Sequence, residues 1–185
     1  MSTSLQDQFL LAMPHLEDAN FSGTLTYLCD HGNQGALGVV INRPLDITLG
    51  EVMQQLGLDA YQCQASLASV YEGGPVHSDR GFILHTGTAD WDASVQITAD
   101  LCLTTSIDIL EAIAKNQGPE RFLVALGCAS WAEGQLEEEI KDNVWLTCPL
   151  DLDILFEIAS EHRLQAAANL LGIDFHLMST QAGHA

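Results

Sequence analysis

The sequence predicts an α+β fold built on a mixed sheet. Three observations carry that prediction. Short apolar, β-branched runs recur along the chain, several of them close enough to pair as hairpins. Helical patterns interrupt them without the regular strand–helix–strand rhythm of a doubly wound sheet. At 185 residues, 47% of them hydrophobic, the chain is long enough to fill one substantial core. No linker rich in Pro, Gly or Ser divides it and no segment repeats at a fixed period, so residues 7–185 read as a single domain behind a flexible N-terminus of residues 1–6.

Element by element, residues 8–13 form an apolar run that Pro14 ends, because proline has no amide for the next ladder bond. Residues 24–29 and 36–41 are β-branched runs on either side of Gly32-Asn33-Gln34-Gly35, which reads as a hairpin. Thr48 and Glu51 have the spacing of a capping box, in which each side chain satisfies a backbone amide at a helix start. Leu49, Val52, Met53 and Leu56 then share one face of a short helix, and Gly57 stops it. Strand-like pieces follow at residues 68–72, 81–86, 94–98 and 101–104. A helix over residues 106–116 ends at Gly118-Pro119.

Residues 122–128 are apolar without alternation, the pattern of a strand buried on both faces. Ser130 and Glu133 repeat the capping spacing and predict a helix over residues 131–143, with Glu137 and Lys141 placed for an i, i+4 pair on a solvated acidic face. Residues 144–148 form another strand before Pro149. Two closing helices carry apolar faces at Leu152, Leu155, Phe156 and Ala159, and at Leu164, Ala167, Ala168 and Leu171, with Gly172 as the stop.

Charge excludes a class of partner. Six Lys and Arg stand against 25 Asp and Glu, a formal charge of −19. A site-specific DNA-binding protein commonly neutralises about 6–10 phosphates with Lys and Arg. Here all the cations, Arg43, Arg80, Lys115, Arg121, Lys141 and Arg163, would have to gather from separate elements, several of them beside acidic neighbours. Direct nucleic-acid binding is therefore not expected. The five cysteines are odd in number and widely spread, which suits reduced, packed thiols and a cytoplasmic setting. No basic leader precedes the short apolar run near the N-terminus, and no run approaches the roughly 18 apolar residues of a membrane span, so neither a signal peptide nor a membrane partner is expected.

The densest cluster of chemistry-bearing residues is the stretch 71–85. Gly73-Gly74-Pro75 lets the backbone turn tightly or approach a ligand, Arg80 has the fork that clamps a carboxylate or phosphate, and His77 and His85 are titratable. The alternative is a plain loop between two strands. Cys29, Asp30, His31, His77, Asp79 and His85 offer metal-binding groups, yet no Cys-x-x-Cys, His-x-x-x-His or His-Glu-x-x-His spacing accompanies them, so structural histidines and no metal are expected. Gly127-Cys128-Ala129-Ser130-Trp131 sits at an expected strand-to-helix junction, where a thiol can be presented or an anion held; it is not the Gly-x-Ser-x-Gly of a nucleophile elbow. The common phosphate-binding glycine patterns are absent, and no cofactor is expected.

Five stretches also resemble the AlgH/YqgE family of small bacterial proteins. They are Phe9 to Pro14 with Leu16; Gly35-Ala36 through Gly38-Val39-Val40-Ile41-Asn42-Arg43-Pro44; Gly73-Gly74-Pro75-Val76 with Asp79-Arg80-Gly81-Phe82-Ile83-Leu84-His85; Gly134-Gln135-Leu136-Glu137 to Trp145-Leu146; and the terminal Gly183-His184-Ala185. The resemblance implies a branched sheet with a small barrel-like portion and helices around it. It also brings the label of a transcriptional regulator, and no catalytic or ligand residue. The chain departs from the usual pattern at Cys128, Ser130 and Ile107, where tyrosine, glycine and arginine are common.

The expected function is thus a non-enzymatic binding or regulatory module acting through a protein or small-molecule partner, with Arg43, Gly73, Gly74, Arg80, His85, Trp131 and His184 as candidate ligand-binding residues. The alternative is a small-molecule enzyme with its site near Arg80, His77 and His85, with Cys128 as a further group.

Overall fold

The structure, a computed structural model, describes residues 3–182. Ten strands join in one sheet that curls into a half-barrel flanked by six helices among the described residues. The strands are β1 (Gln8–Ala12), β2 (Leu25–Gly32), β3 (Gly35–Val40), β4 (Pro44–Thr48), β5 (Ser69–Glu72), β6 (Val76–His85), β7 (Ser94–Gln96), β8 (Cys102–Thr104), β9 (Phe122–Trp131) and β10 (Trp145–Pro149). The helices are α1 (Leu49–Gln55), α2 (Asp108–Ala114), α3 (Gln135–Lys141), α4 (Leu152–Phe156), α5 (Ser160–Leu170) and α6 (Phe175–Ala182).

The main path runs β10-β1-β2-β3-β9-β6-β8-β7. The branch lies on β9. Val124 to Leu126 pair with β5 in parallel on one edge, whereas Ala129 to Trp131 pair with β3. β6 runs antiparallel along the other edge, and β4 closes the branch by pairing with β5.

Alternation along the strands sorts side chains onto two faces. Phe9 and Leu11 of β1 and Phe82 and Leu84 of β6 belong to one large core, which α4 and α5 cover with Leu155, Ala167 and Ala168. Ile83 and Val124 point to the opposite face and pack under α1 and α2, against Leu49, Met53, Ile109 and Ile113. Leu10 and Ala12 enter a third cluster with Leu136, Trp131 and Trp145. Burial of each such Leu, Ile or Phe contributes about 1.5–3 kcal/mol, so these three clusters fix which side of the sheet every helix occupies.

Several expectations need correction. β9 continues to Trp131 where a helix was expected, because β3 supplies ladder partners for Ala129, Ser130 and Trp131. Ser130 is therefore no helix cap: α3 starts at Gln135 behind Gly134, whose φ of 76° suits glycine. Lys141 meets Glu138, not Glu137. β4 is an added strand; its Leu45 and Ile47 alternate, but the leading Pro44 masks the pattern. β6 begins at Val76, earlier than expected, through an irregular stretch between Val76 and Gly81. α6 is also additional.

Candidate functional site

The Gly73-Gly74 turn comes close to backbone. A Cβ on Gly74 would lie 2.2 Å from the carbonyl carbon of Cys128, and one on Gly73 would lie 2.3 Å from the carbonyl oxygen of Gly127. The Gly73 amide donates to the Leu126 carbonyl and its carbonyl accepts from the Val40 amide, so this crossing ties β5, β9 and β3 together at the branch.

Arg43 is spent on backbone: its guanidinium donates to the carbonyls of Ala19, Asn20 and Ser22 and holds the loop before β2. Arg80 donates to Thr105 Oγ1 at 3.1 Å and lies 5.8 Å from the Phe82 ring centroid. His85 is fully buried five residues further along β6. Arg80 lies on the Phe82 side of β6 and bonds Thr105, whereas His85 alternates to the other side and bonds Thr104, so the two share no hydrogen-bond partner. His77 is exposed, with φ 50°, in the irregular stretch.

The His85 ring is closed on both sides. Nδ1 donates to the Thr86 carbonyl at 2.8 Å, so Nε2 is the acceptor and takes the Thr104 hydroxyl proton at 2.7 Å. Ser94 then lies 2.6 Å from the same Thr104 oxygen. Burial pushes the His85 pKa below its ordinary 6.5, against the opposing pull of the Thr86 carbonyl, and this keeps the ring neutral. Trp131 is likewise packed: its ring stacks on Phe21 and meets Trp145 edge-on, and its Nε1 donates to Glu139 at 2.8 Å. Glu139 also accepts from Trp145, so the face of α3 read as solvated helps close a core. His31 accepts the Leu5 amide at Nδ1 and donates from Nε2 to Glu137 at 2.5 Å. His184 lies outside the described residues.

The thiols offer little to chemistry. All five cysteines are buried and free. Burial pushes Cys29, Cys102, Cys128 and Cys148 upward, and at Cys128 the charge of Arg80 only partly opposes it. Among the described residues no three His, Cys, Asp or Glu side chains group as a metal site. No helix among them is long and apolar enough to cross a membrane.

Two features escaped the sequence reading. The connector between α1 and β5 exposes Tyr61 at 92% and Leu67 at 85%, between grooves of about 590 and 410 Å³. This connector is held firmly. Asn116 receives the Gln64 amide and donates to the Gln62 carbonyl, the Cys63 thiol reaches the Ile113 carbonyl, and Gly50 donates to the Ser66 carbonyl. The second feature is Arg163, only 5% exposed. Its position four residues before buried Ala167 puts it on the buried stripe of α5, a signal legible in the helical spacing.

A branched α+β half-barrel that exposes Tyr61 and Leu67 on a hydrogen-bonded connector describes the class of protein these elements make. The chain belongs to the AlgH-like family, whose profile matches residues 9–176. A UPF0301 protein of Chromohalobacter salexigens is 58% identical over 182 residues, covering 98% of each chain, and one of Hahella chejuensis is 51% identical over 100% of this chain and 98% of its own. The solution structure of the AlgH protein from Pseudomonas aeruginosa, 48% identical, superposes with a TM-score of 0.81 over 100% of this chain and 98% of that one. The crystal structure of a Corynebacterium diphtheriae protein, 18% identical, shares the fold with a TM-score of 0.75, covering 97% and 93%.

Proposed function

We propose that the protein is a non-enzymatic binding module that engages a partner protein through the surface around Tyr61. The observation that carries this reading is the exposure of Tyr61 and Leu67 on a connector that hydrogen bonds hold in place. Large apolar side chains on a preformed surface lose little entropy on binding, and such patches commonly mark interaction sites. Leu58, partly buried, lines both grooves beside Tyr61, while Glu51, Asp59 and Glu111 rim them with Lys115 as the cation nearby. That rim favours a partner segment with apolar anchors flanked by Lys or Arg, and a second copy of so acidic a chain is disfavoured.

Regulation implied by the family resemblance then runs through protein contact. Arg43, Arg80, Arg121, Lys141 and Arg163 are each engaged within the fold, which supports the reading that no basic face meets DNA. The enzymatic alternative finds less support, because Arg80 and His85 lie on opposite faces of β6 and His85 has both nitrogens bonded.

Affinity capture with the intact protein and with Tyr61→Ala/Leu67→Asp tests the proposal. Partners retained by the intact chain and lost by the double variant are the expected result. Equal capture by both, or turnover of a metabolite by the purified chain, overturns it.

A further inference from the structure

We propose that the cavity beside Arg163 binds a small carboxylate carrying a short apolar tail. This goes beyond the partner surface and does not depend on it. The charge of Arg163 is unbalanced within the described residues. A guanidinium keeps its proton and offers five N–H donors. Nε of Arg163 donates to the Ile158 carbonyl at 2.8 Å and Nη1 to the Ile41 carbonyl at 2.5 Å, while the Tyr71 ring covers one face with its centroid 5.0 Å away. Those contacts explain how α5 is clamped to the sheet. They do not neutralise the cation, since no carboxylate among the described residues reaches it. A buried charge left with carbonyls and a ring alone is costly.

The second observation is the place where donors remain. Nη2 has no hydrogen-bond partner among the described residues. Arg163 lines a cavity of about 160 Å³ together with Tyr71, Leu123, Leu155 and Phe156, with Ser69 exposed at its mouth. At roughly 30 Å³ per molecule this equals about five waters. The chemistry of the wall selects the ligand. One unmatched positive charge suits one negative charge, and the Tyr71, Leu123 and Leu155 side chains, which share the lining with polar atoms, leave room for no more than a short hydrocarbon tail. A phosphate dianion would demand more donors than the guanidinium and one hydroxyl supply. Arg121, the other cation near this end of β9, is already held by Asp153 at 3.7 Å and Glu157 at 3.5 Å, so it adds little net charge.

The test is a heteronuclear NMR titration of the full chain with sodium isovalerate, with sodium chloride and sodium phosphate run at matched ionic strength. Saturable shifts at the Arg163 Nε–H and at the amides of Tyr71 and Leu123 are expected, with a millimolar dissociation constant as befits so few contact atoms. Arg163→Lys, which keeps the charge but loses the planar fork, weakens binding at least tenfold. Because that variant also loosens the clamp, Ser69→Leu provides the second measurement: it plugs the mouth from an exposed position, preserves the amide spectrum and weakens binding at least tenfold. The proposal is overturned if isovalerate gives no saturable shift, if chloride or phosphate reproduces the shifts, or if Ser69→Leu binds as tightly as the natural chain.

Discussion

His85 and Arg163 are both basic side chains buried against this sheet, at 0% and 5% exposure, and the fold treats them in opposite ways. His85 can give up its proton, so burial makes it neutral and a closed chain of Ser94, Thr104 and the Thr86 carbonyl uses both its nitrogens. Arg163 meets no such chain. Its Nε and Nη1 reach carbonyls, its charge finds no counterpart among the described residues, and it borders open volume. A buried polar group whose bonds are complete explains itself as structure. One with donors left over and a cavity beside it points outward, to a ligand.

The largest expected effect strikes the Arg163 side of that contrast. Arg163→Met orphans the carbonyls of Ile41 and Ile158, and a stability loss of about 3 kcal/mol is expected in urea denaturation. A loss below about 1 kcal/mol would mean that water replaces the clamp readily, which breaks the contrast. His85→Leu follows, at about 2 kcal/mol, because it leaves the Thr86 carbonyl without its donor and the buried Thr104 hydroxyl with Ser94 alone.

Acid sharpens the same comparison. The folded state lowers the His85 pKa below 6.5, so as pH falls the unfolded chain takes up the proton first. Stability due to the neutral ring is complete above about 6.5 and declines as pH drops from there toward the lower folded value. His85→Leu should flatten that part of a stability-versus-pH curve. Glu137 adds a second, more acidic limb: its hydrogen bond from His31 holds its pKa below the ordinary 4.5, and stability declines as pH falls from 4.5 toward the folded value. Glu137→Gln removes that limb and leaves the His85 limb intact.

The smallest expected effect belongs to the exposed surface. Tyr61→Ala should change stability by no more than about 0.5 kcal/mol, since a side chain with 92% exposure loses almost no packing. Thermal and urea unfolding check this, and a large loss would turn Tyr61 from a partner contact into a structural one.

What the sequence determined by itself was what short-range bonding decides. Thr48 and Glu51 do cap α1 reciprocally, at 3.2 and 2.9 Å, because every atom of that motif lies within three residues. The turn between β2 and β3 forms where Gly32 to Gly35 placed it, and the apolar runs of β1, β6 and β9 are buried. The family, too, was legible in motif strings that cover most of the chain. Only the tertiary structure decided the rest. Ser130 and Glu133 repeat the Thr48 pattern, yet β3 takes the backbone of Ser130 into a ladder, and a partner 93 positions away along the chain, Leu37, outweighs a local cap. Gly73 and Gly74 read as a turn between strands or as the wall of a binding site, and no local pattern reveals that the β9 backbone passes so close to them. Whether Arg163 meets a carboxylate, a carbonyl or a cavity depends on Ile41, which lies 122 residues from it, and on the packing of β5, β9 and α4 around the remaining space. Local pattern sets which backbone conformations are cheap, whereas pairing and charge balance between distant segments set which groups are left over for function.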